Sequence, residues 1–184
     1  NWVAPLGKNV TEFENEMASF VGVKAAAAMT AGTHALHLAV KLAGVEKDDV
    51  VICSDLTFAA TVNPVSYENG TQVFVDSERD TWNMDPKALC KAIDLYGAPK
   101  AVVLVHLYGS PAKLNEITEI CREHNILRIE DAAGALGSTY CEKACGTFGK
   151  YGILSFNGNK IITTSGGGML LCEDEADARH ALKL

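Results

Sequence analysis

The sequence predicts an α/β fold, a mostly parallel sheet with helices on both faces. Two observations predict it. Short apolar runs alternate with amphipathic stretches almost from end to end, as strands and crossover helices do. The run 101–104 is apolar at every position, the mark of a central parallel strand buried on both sides. In chain order, Val10, Phe13, Met17 and Phe20 recur at helical spacing with acids between them, so residues 10–20 read as an amphipathic helix. Residues 23–29 are a short buried-strand candidate whose alanines fit a helix equally. Ala35, Leu36, Ala39, Val40 and Leu42 make residues 33–42 a helix packed on the sheet. Residues 49–53 are strand-like, 58–67 helical, and 73–75 a strand ended by Asp76. Asp85 as N-cap, with Pro86 in the first turn, starts a helix that runs through residue 95. After 101–104, a helix spans 113–124 and residues 126–129 return to the sheet. Residues 153–156 and 169–172 are the last strands, and a helix begins near Glu173 and holds the last residue, Leu184. No repeat, low-complexity tract or linker interrupts the pattern, which reads as one domain cut at both ends.

Hydrophobic residues make up 48% of the 184 positions and charged residues 21%, enough for a core and unlike a disordered chain. The net charge of −7 is a poor match for nucleic acid. The longest apolar runs are strand-sized and broken by charges or glycines, so neither a membrane span nor a secretory signal is expected. Cys53, Cys90, Cys121, Cys141, Cys145 and Cys172 form no pair of CxxC knuckles, and no nearby His completes a zinc set. Scattered thiols of this kind behave as small hydrophobes, so no metal is expected and the expected address is the reducing cytoplasm.

Ligands of an open parallel sheet gather at the carboxyl ends of its strands, and four segments bring polar residues there. Thr30, Ala31, Gly32 and Thr33 follow a strand and open a helix. Gly32 lets backbone approach a ligand and the free amides favour an anion such as phosphate, while the same residues also suit an ordinary helix cap. Asp131 ends an apolar strand before small residues, where it either faces a positively charged ring nitrogen or caps the next turn. Lys160 follows Ser155 and Phe156 among small polar residues and precedes Gly166, Gly167 and Gly168. It is either a surface lysine or a Schiff-base lysine whose amine is freed by burial and cationic neighbours. Phe58, within segment 55–61, either stacks on a flat ligand or plugs the core. In this order, an anion-binding helix start, a flat aromatic, an acid and a lysine are the parts that hold pyridoxal phosphate (PLP).

The same residues stand in a longer ordered series: Phe13-Glu14, Phe20-Val21-Gly22, Ala31-Gly32-Thr33-His34-Ala35-Leu36-His37, Thr57-Phe58-Ala59-Ala60-Thr61, Val73-Phe74-Val75-Asp76, His106-Leu107-Tyr108-Gly109, Ile129-Glu130-Asp131-Ala132-Ala133, Gly146-Thr147-Phe148-Gly149 and Ser155-Phe156 through Lys160. In these the chain resembles the DegT/DnrJ/EryC1/StrS sugar aminotransferases, PLP enzymes of the aspartate-aminotransferase fold. The resemblance implies that residues 1–184 are the PLP-binding large domain, without the smaller C-terminal domain, and that the enzyme is a homodimer. It implies that Lys160 carries the cofactor and, once released, shuttles the proton; that Asp131 pairs with the pyridinium nitrogen; that Gly32, Thr33 and Ser155 hold the phosphate; and that Phe58 stacks on the ring. L-glutamate would then supply an amino group to a nucleotide-linked ketosugar. The stretch 155–170 looks closest to the branch acting on UDP-linked 4-keto-6-deoxy-N-acetylhexosamines, as in bacillosamine synthesis, within cell-surface polysaccharide or glycan biosynthesis. One position departs: where the family often carries Gln or Glu near the cofactor's ring oxygen, this chain has Gly134. His106, at a strand end, is a candidate to line the site, whereas His34 and His37 read as packing or surface residues. Two rivals are a PLP-dependent sugar dehydratase of the same family, whose members replace the lysine with histidine, and a non-catalytic sensor or scaffold. Lys160 counts against the first, and Lys160 with Asp131 against the second.

Overall fold

The computed structural model describes residues 7–184, so the start of the expected domain, residues 1–6, lies outside it. The strands are β1 (Ala25–Met29), β2 (Val50–Ser54), β3 (Thr71–Val75), β4 (Ala101–Val105), β5 (Leu127–Asp131), β6 (Thr139–Tyr140), β7 (Lys143–Ala144), β8 (Tyr151–Ser155) and β9 (Gly168–Cys172). Seven form one sheet in the order β1-β9-β8-β5-β4-β2-β3, and β6 pairs with β7 alone. Strands β8, β5, β4, β2 and β3 pair in parallel, whereas β9 runs antiparallel to both β8 and β1. Strand β1 therefore points the same way as the parallel five, and all six end on one edge.

The helices are α1 (Lys8–Val21), α2 (Gly32–Leu42), α3 (Asn63–Tyr67), α4 (Pro86–Tyr96), α5 (Leu114–Glu123) and α6 (Glu175–Ala181). On one face α2, α3 and α6 bury Ala35, Leu36, Val40, Val65 and Ala178 against Val51, Val103, Ile129 and Ile153. On the other, α4 and α5 cover Ile52, Val102 and Leu104, and α1 covers Ala26, Leu154 and Met169. The expected mostly parallel sheet with helices on both faces is the observed architecture. Local signals explain its parts. The Asp85 carboxylate accepts from the Lys87 amide at 2.9 Å and Pro86 opens α4, as its sequence suggests. The apolar stripe of α2 is buried as expected.

Several boundaries differ from expectation. Residues 58–67 are not one helix: a 3-10 turn at Ala59–Thr61 precedes α3. Pro64 has no amide to continue a ladder from the preceding turn, but it is tolerated at the start of a new helix. Strand β5 does not stop at 129, because Glu130 and Asp131 pair with Leu104 and Val105 on one side and Gly152 and Ile153 on the other. Strand β8 is shifted to Tyr151–Ser155. Asp174 caps α6, which ends at Ala181, short of the last residue. The β6–β7 hairpin was not expected.

Between β3 and α4, Glu78 closes a turn. Its carboxylate accepts from the Asp80 and Thr81 amides, each at 2.8 Å, from the Thr81 hydroxyl, and from Lys113 Nζ at 3.1 Å. The turn presents Asn83, which donates to the Ser110 carbonyl at 2.9 Å and accepts from the Leu107 amide at 2.8 Å, fixing the loop after β4. Burial raises the Glu78 pKa, but the Thr81 hydroxyl, the two amides and Lys113 outweigh it and hold the carboxyl down at about 2. A depressed folded-state pKa stabilises the fold above the ordinary glutamate value of about 4.3, and this contribution is lost as pH falls from there toward the folded value. Glu78→Gln should lower the urea midpoint at neutral pH and flatten its decline between about pH 4.5 and 2; a variant that keeps the wild-type acid limb would show that Glu78 carries none of it.

Candidate functional site

Three strand ends build the site. Met29, Gly168 and Ser155 lie in one row across β1, β9 and β8. Beyond Met29 the chain turns into α2, and Ala31 bridges to Gly167. Side-chain atoms would obstruct this approach. A Cβ on Gly168 would stand 2.6 Å from the Ala31 carbonyl oxygen and closer still to the backbone of Ala31 and Gly32. A Cβ on Gly32 would stand 3.0 Å from Ser155 Cβ and 3.3 Å from its Oγ. The two glycines thus let the start of α2 close onto Ser155, forming a cradle that a methyl group would fill.

The cradle has donors to offer. The N-cap of α2 is Ala31, which makes no side-chain cap hydrogen bond, so the ordinary-cap reading does not hold. The Thr30 hydroxyl instead meets His34 Nδ1 at 2.5 Å. The amides of His34 and Ala35 bond to the Ala31 carbonyl at 3.1 and 3.3 Å, which leaves those of Gly32 and Thr33 with no intrahelical acceptor. With the helix dipole behind them, these groups favour an anion.

Asp131 ends β5 on the face that carries Ile129, the face covered by α2. Ser155 shares that face with Ile153, the β8 residue paired with Asp131. Asp131 is 5% exposed. Its Oδ2 accepts from Thr61 Oγ1 at 2.5 Å and its Oδ1 from the Ala133 amide at 3.0 Å, so it caps the following turn and is also held from the 3-10 turn. Thr57 Oγ1 lies 2.7 Å from Thr61 Oγ1. Phe58, between these threonines, is 75% exposed, which rules out the core-plug reading.

Lys160 lies beyond β8, at the end of a turn closed by its own amide on the Asn157 carbonyl at 3.0 Å. The loop around it is tied at its base, Phe156 N donating to Gly167 O at 2.9 Å and Thr164 N to Phe156 O at 3.0 Å. Lys160 is half-buried, and its Nζ makes no hydrogen bond or ion pair among the described residues. The structure thus brings Gly32 against Ser155, with Thr33 next in α2 and Asp131 one strand away on the same face, while Lys160 and Phe58 stand on loops of the same edge without hydrogen bonds to those four. Amides and hydroxyls for a phosphate, a buried acid for a cationic ring nitrogen and an amine for a carbonyl suit PLP, and the glycine cradle leaves room at the phosphate end. At Gly134 an added Cβ would meet nothing nearer than 4.0 Å, so space does not dictate glycine there.

His106 does not line the site. It is buried with Glu130, the neighbour of Asp131 that points to the opposite face. The Ala112 amide donates to His106 Nδ1 at 3.1 Å, so the ring proton sits on Nε2 and is donated to Glu130 Oε2 at 2.9 Å. Glu130 also accepts from the Gly146 amide at 2.8 Å and from the Gly149 amide. His34 is exposed and His37 pairs with Glu68 at 2.6 Å, as surface residues do. Sequence reasoning missed Thr57, Thr61 and Glu130; the four-residue spacing of the threonines is the only local signal for the first two.

Two hollows, of about 510 and 220 Å³, lie at the opposite edge around Lys143, Thr147 and Lys150, away from all four segments. The described residues contain no group of three His, Cys, Asp or Glu side chains placed to hold a metal. All six cysteines are free, and burial pushes the Cys53 thiol up to about 12, which makes it inert. No described helix is long and apolar enough to cross a membrane.

Replacing one Glu130 oxygen by an amide group would set N–H against N–H in a dry site. Glu130→Gln should cost about 1–3 kcal/mol of stability, read from urea denaturation; an unchanged midpoint would mean that the carboxylate does not hold the loop 146–149.

The chain matches the DegT/DnrJ/EryC1/StrS aminotransferase family over residues 1–184. EpsN of Bacillus subtilis (strain 168), provisionally named a pyridoxal phosphate-dependent aminotransferase, is 54% identical over 98% of this chain and 48% of its own length. A GDP-perosamine synthase of Caulobacter vibrioides is 43% identical over 95% of this chain and 46% of its own. The crystal structure of a DegT DnrJ EryC1 StrS aminotransferase from Brucella abortus matches with a TM-score of 0.91 and 33% identity, covering 97% of this chain and 49% of that one. The chain spans about half the length of the curated relatives it matches.

Proposed function

The chain belongs to the DegT/DnrJ/EryC1/StrS aminotransferase family, and from that premise we propose that it forms the cofactor-binding large domain of a PLP-dependent aminotransferase moving an amino group from L-glutamate to a nucleotide-linked ketosugar. The observation that carries this reading is the meeting of Gly32 and Ser155 at the uncapped start of α2, with Asp131 one strand away on the same face. When bound, PLP supplies an electron sink for bond breaking at the amino-bearing carbon. The amides of Gly32 and Thr33 and the Ser155 hydroxyl hold its phosphate. The Asp131 carboxylate holds a proton at the ring nitrogen, and exposed Phe58 covers a ring face. Lys160 Nζ, with no other partner among the described residues, carries the cofactor and afterwards moves a proton at the substrate carbon.

The substrate in this reading is a UDP-linked 4-keto-6-deoxy-N-acetylhexosamine, supported by the likeness of residues 155–170 to that branch, and the work is done in the cytoplasm by a homodimer. Phe58 and Tyr108, 75% and 97% exposed on carboxyl-edge loops, support burial against a second copy. The test offers full-length enzyme a panel of nucleotide-linked 4-ketosugars with glutamate and reads products by mass. Amination of the UDP-linked acetamido sugar is expected. Preference for a GDP- or dTDP-linked sugar lacking that group overturns the substrate assignment, and amination of none overturns the activity.

Borohydride treatment of the PLP-loaded enzyme, followed by peptide mapping, should place the cofactor on the peptide containing Lys160. Labelling at Lys143 or Lys150 would remove Lys160 from its role.

A further inference from the structure

Thr61 is fully buried, yet its hydroxyl makes two short contacts, 2.5 Å to Asp131 Oδ2 and 2.7 Å to Thr57 Oγ1. Its single proton fixes their direction. An ionised carboxylate only accepts, so the Thr61 proton goes to Asp131 and the Thr57 hydroxyl donates to Thr61. The Ala133 amide occupies the other carboxylate oxygen at 3.0 Å. With one fixed donor on each oxygen, the plane of the carboxylate is set. The same segment is braced by its backbone, the Thr61 amide donating to the Phe58 carbonyl at 2.9 Å. Phe58, in the loop after β2, and Asp131, at the end of β5, are thereby tied through one residue.

We propose that Thr61 is a positioning residue: it aims the Asp131 carboxylate and keeps the Phe58 segment in register with it, while the Thr57 hydroxyl donates to the Thr61 oxygen and holds it in place. The inference rests on the proposed role of Asp131 toward the ring nitrogen of PLP. Thr61 touches neither substrate nor cofactor in this role. It acts by removing the freedom of the acid to turn away.

The experiment uses full-length protein as wild type, Thr61→Val, Thr61→Ser and Thr57→Val. The first readout is the PLP affinity of the apoenzyme by fluorescence titration. The second is the ¹⁵N chemical shift of ring-labelled PLP, which reports the proton on the ring nitrogen. Thr61→Val keeps the shape and removes the donor; it should weaken PLP binding about tenfold and move the shift toward the unprotonated value. Thr61→Ser keeps the hydroxyl and should restore the wild-type shift, which a merely structural role of the threonine methyl would not do. Wild-type affinity and shift in Thr61→Val overturn the role of Thr61. Should Thr61→Val not fold, Thr57→Val decides: a shift between wild-type and unprotonated values supports the relay, and an unmoved shift overturns it. Wild-type protein that binds no PLP overturns the proposed function instead, so the two failures are distinguishable.

Discussion

Two adjacent carboxylates end β5 and point to opposite faces of the sheet, and the one with no exposure, Glu130, determines where the other stands. A buried charge is costly unless it is fully hydrogen-bonded. Glu130 meets that condition with donors from three places: the His106 ring and the amides of Gly146 and Gly149. The carboxylate therefore fastens the loop after β4 and the loop before β8 to the end of β5. Those are the neighbouring strands, so the carboxyl end of β4 and the amino end of β8 are both tied to β5. Asp131, one residue on, inherits a rigid base and is free to present its own carboxylate to the α2 side.

The second half of the site follows from β9. Because β9 runs antiparallel between β1 and β8, its first residue, rather than its last, lies at the carboxyl edge. That residue is Gly168, and the absence of a side chain there lets backbone from the β1–α2 connection take the space. Ser155 and the start of α2 then meet across a strand that separates them in the sheet. Loops after two non-adjacent strands converge where an ordinary residue would have held them apart.

The fold was legible in the sequence wherever its causes are local. Asp85 and Pro86 announce α4 by themselves, and the stripe from Ala35 to Val40 announces the buried side of α2. The end of β5 was not legible: Glu130 and Asp131 look like a boundary until their partners are known, and those come from β4, β8 and the segment before β8. Pro64 was a visible warning against one helix over 58–67, but the apolar pattern spoke more loudly. Within the site, Gly32 and Asp131 announced themselves by standing after apolar runs, whereas Ser155 was marked by the family resemblance. Thr61 did not, because its partner is 70 residues away. His106 misled for the same reason: a polar residue at a strand end looks available until its buried acid is seen.

The antiparallel insertion of β9 also has a consequence for how the chain comes together. Strand β1 is the first of the described strands, and its only neighbour among the described residues is β9, near the other end of the described chain. The block from β2 to β8 can nucleate through shorter connections, but β1 waits, an alanine-rich edge without a partner. Long-range pairings of this kind are slow, and unpaired edges are prone to misassembly. The anion cradle is made of β1, β9 and β8, so it exists only after that last closure. A ribosome-bound or truncated chain ending before residue 168 would lack Gly168, and with it the close approach of the start of α2 to Ser155.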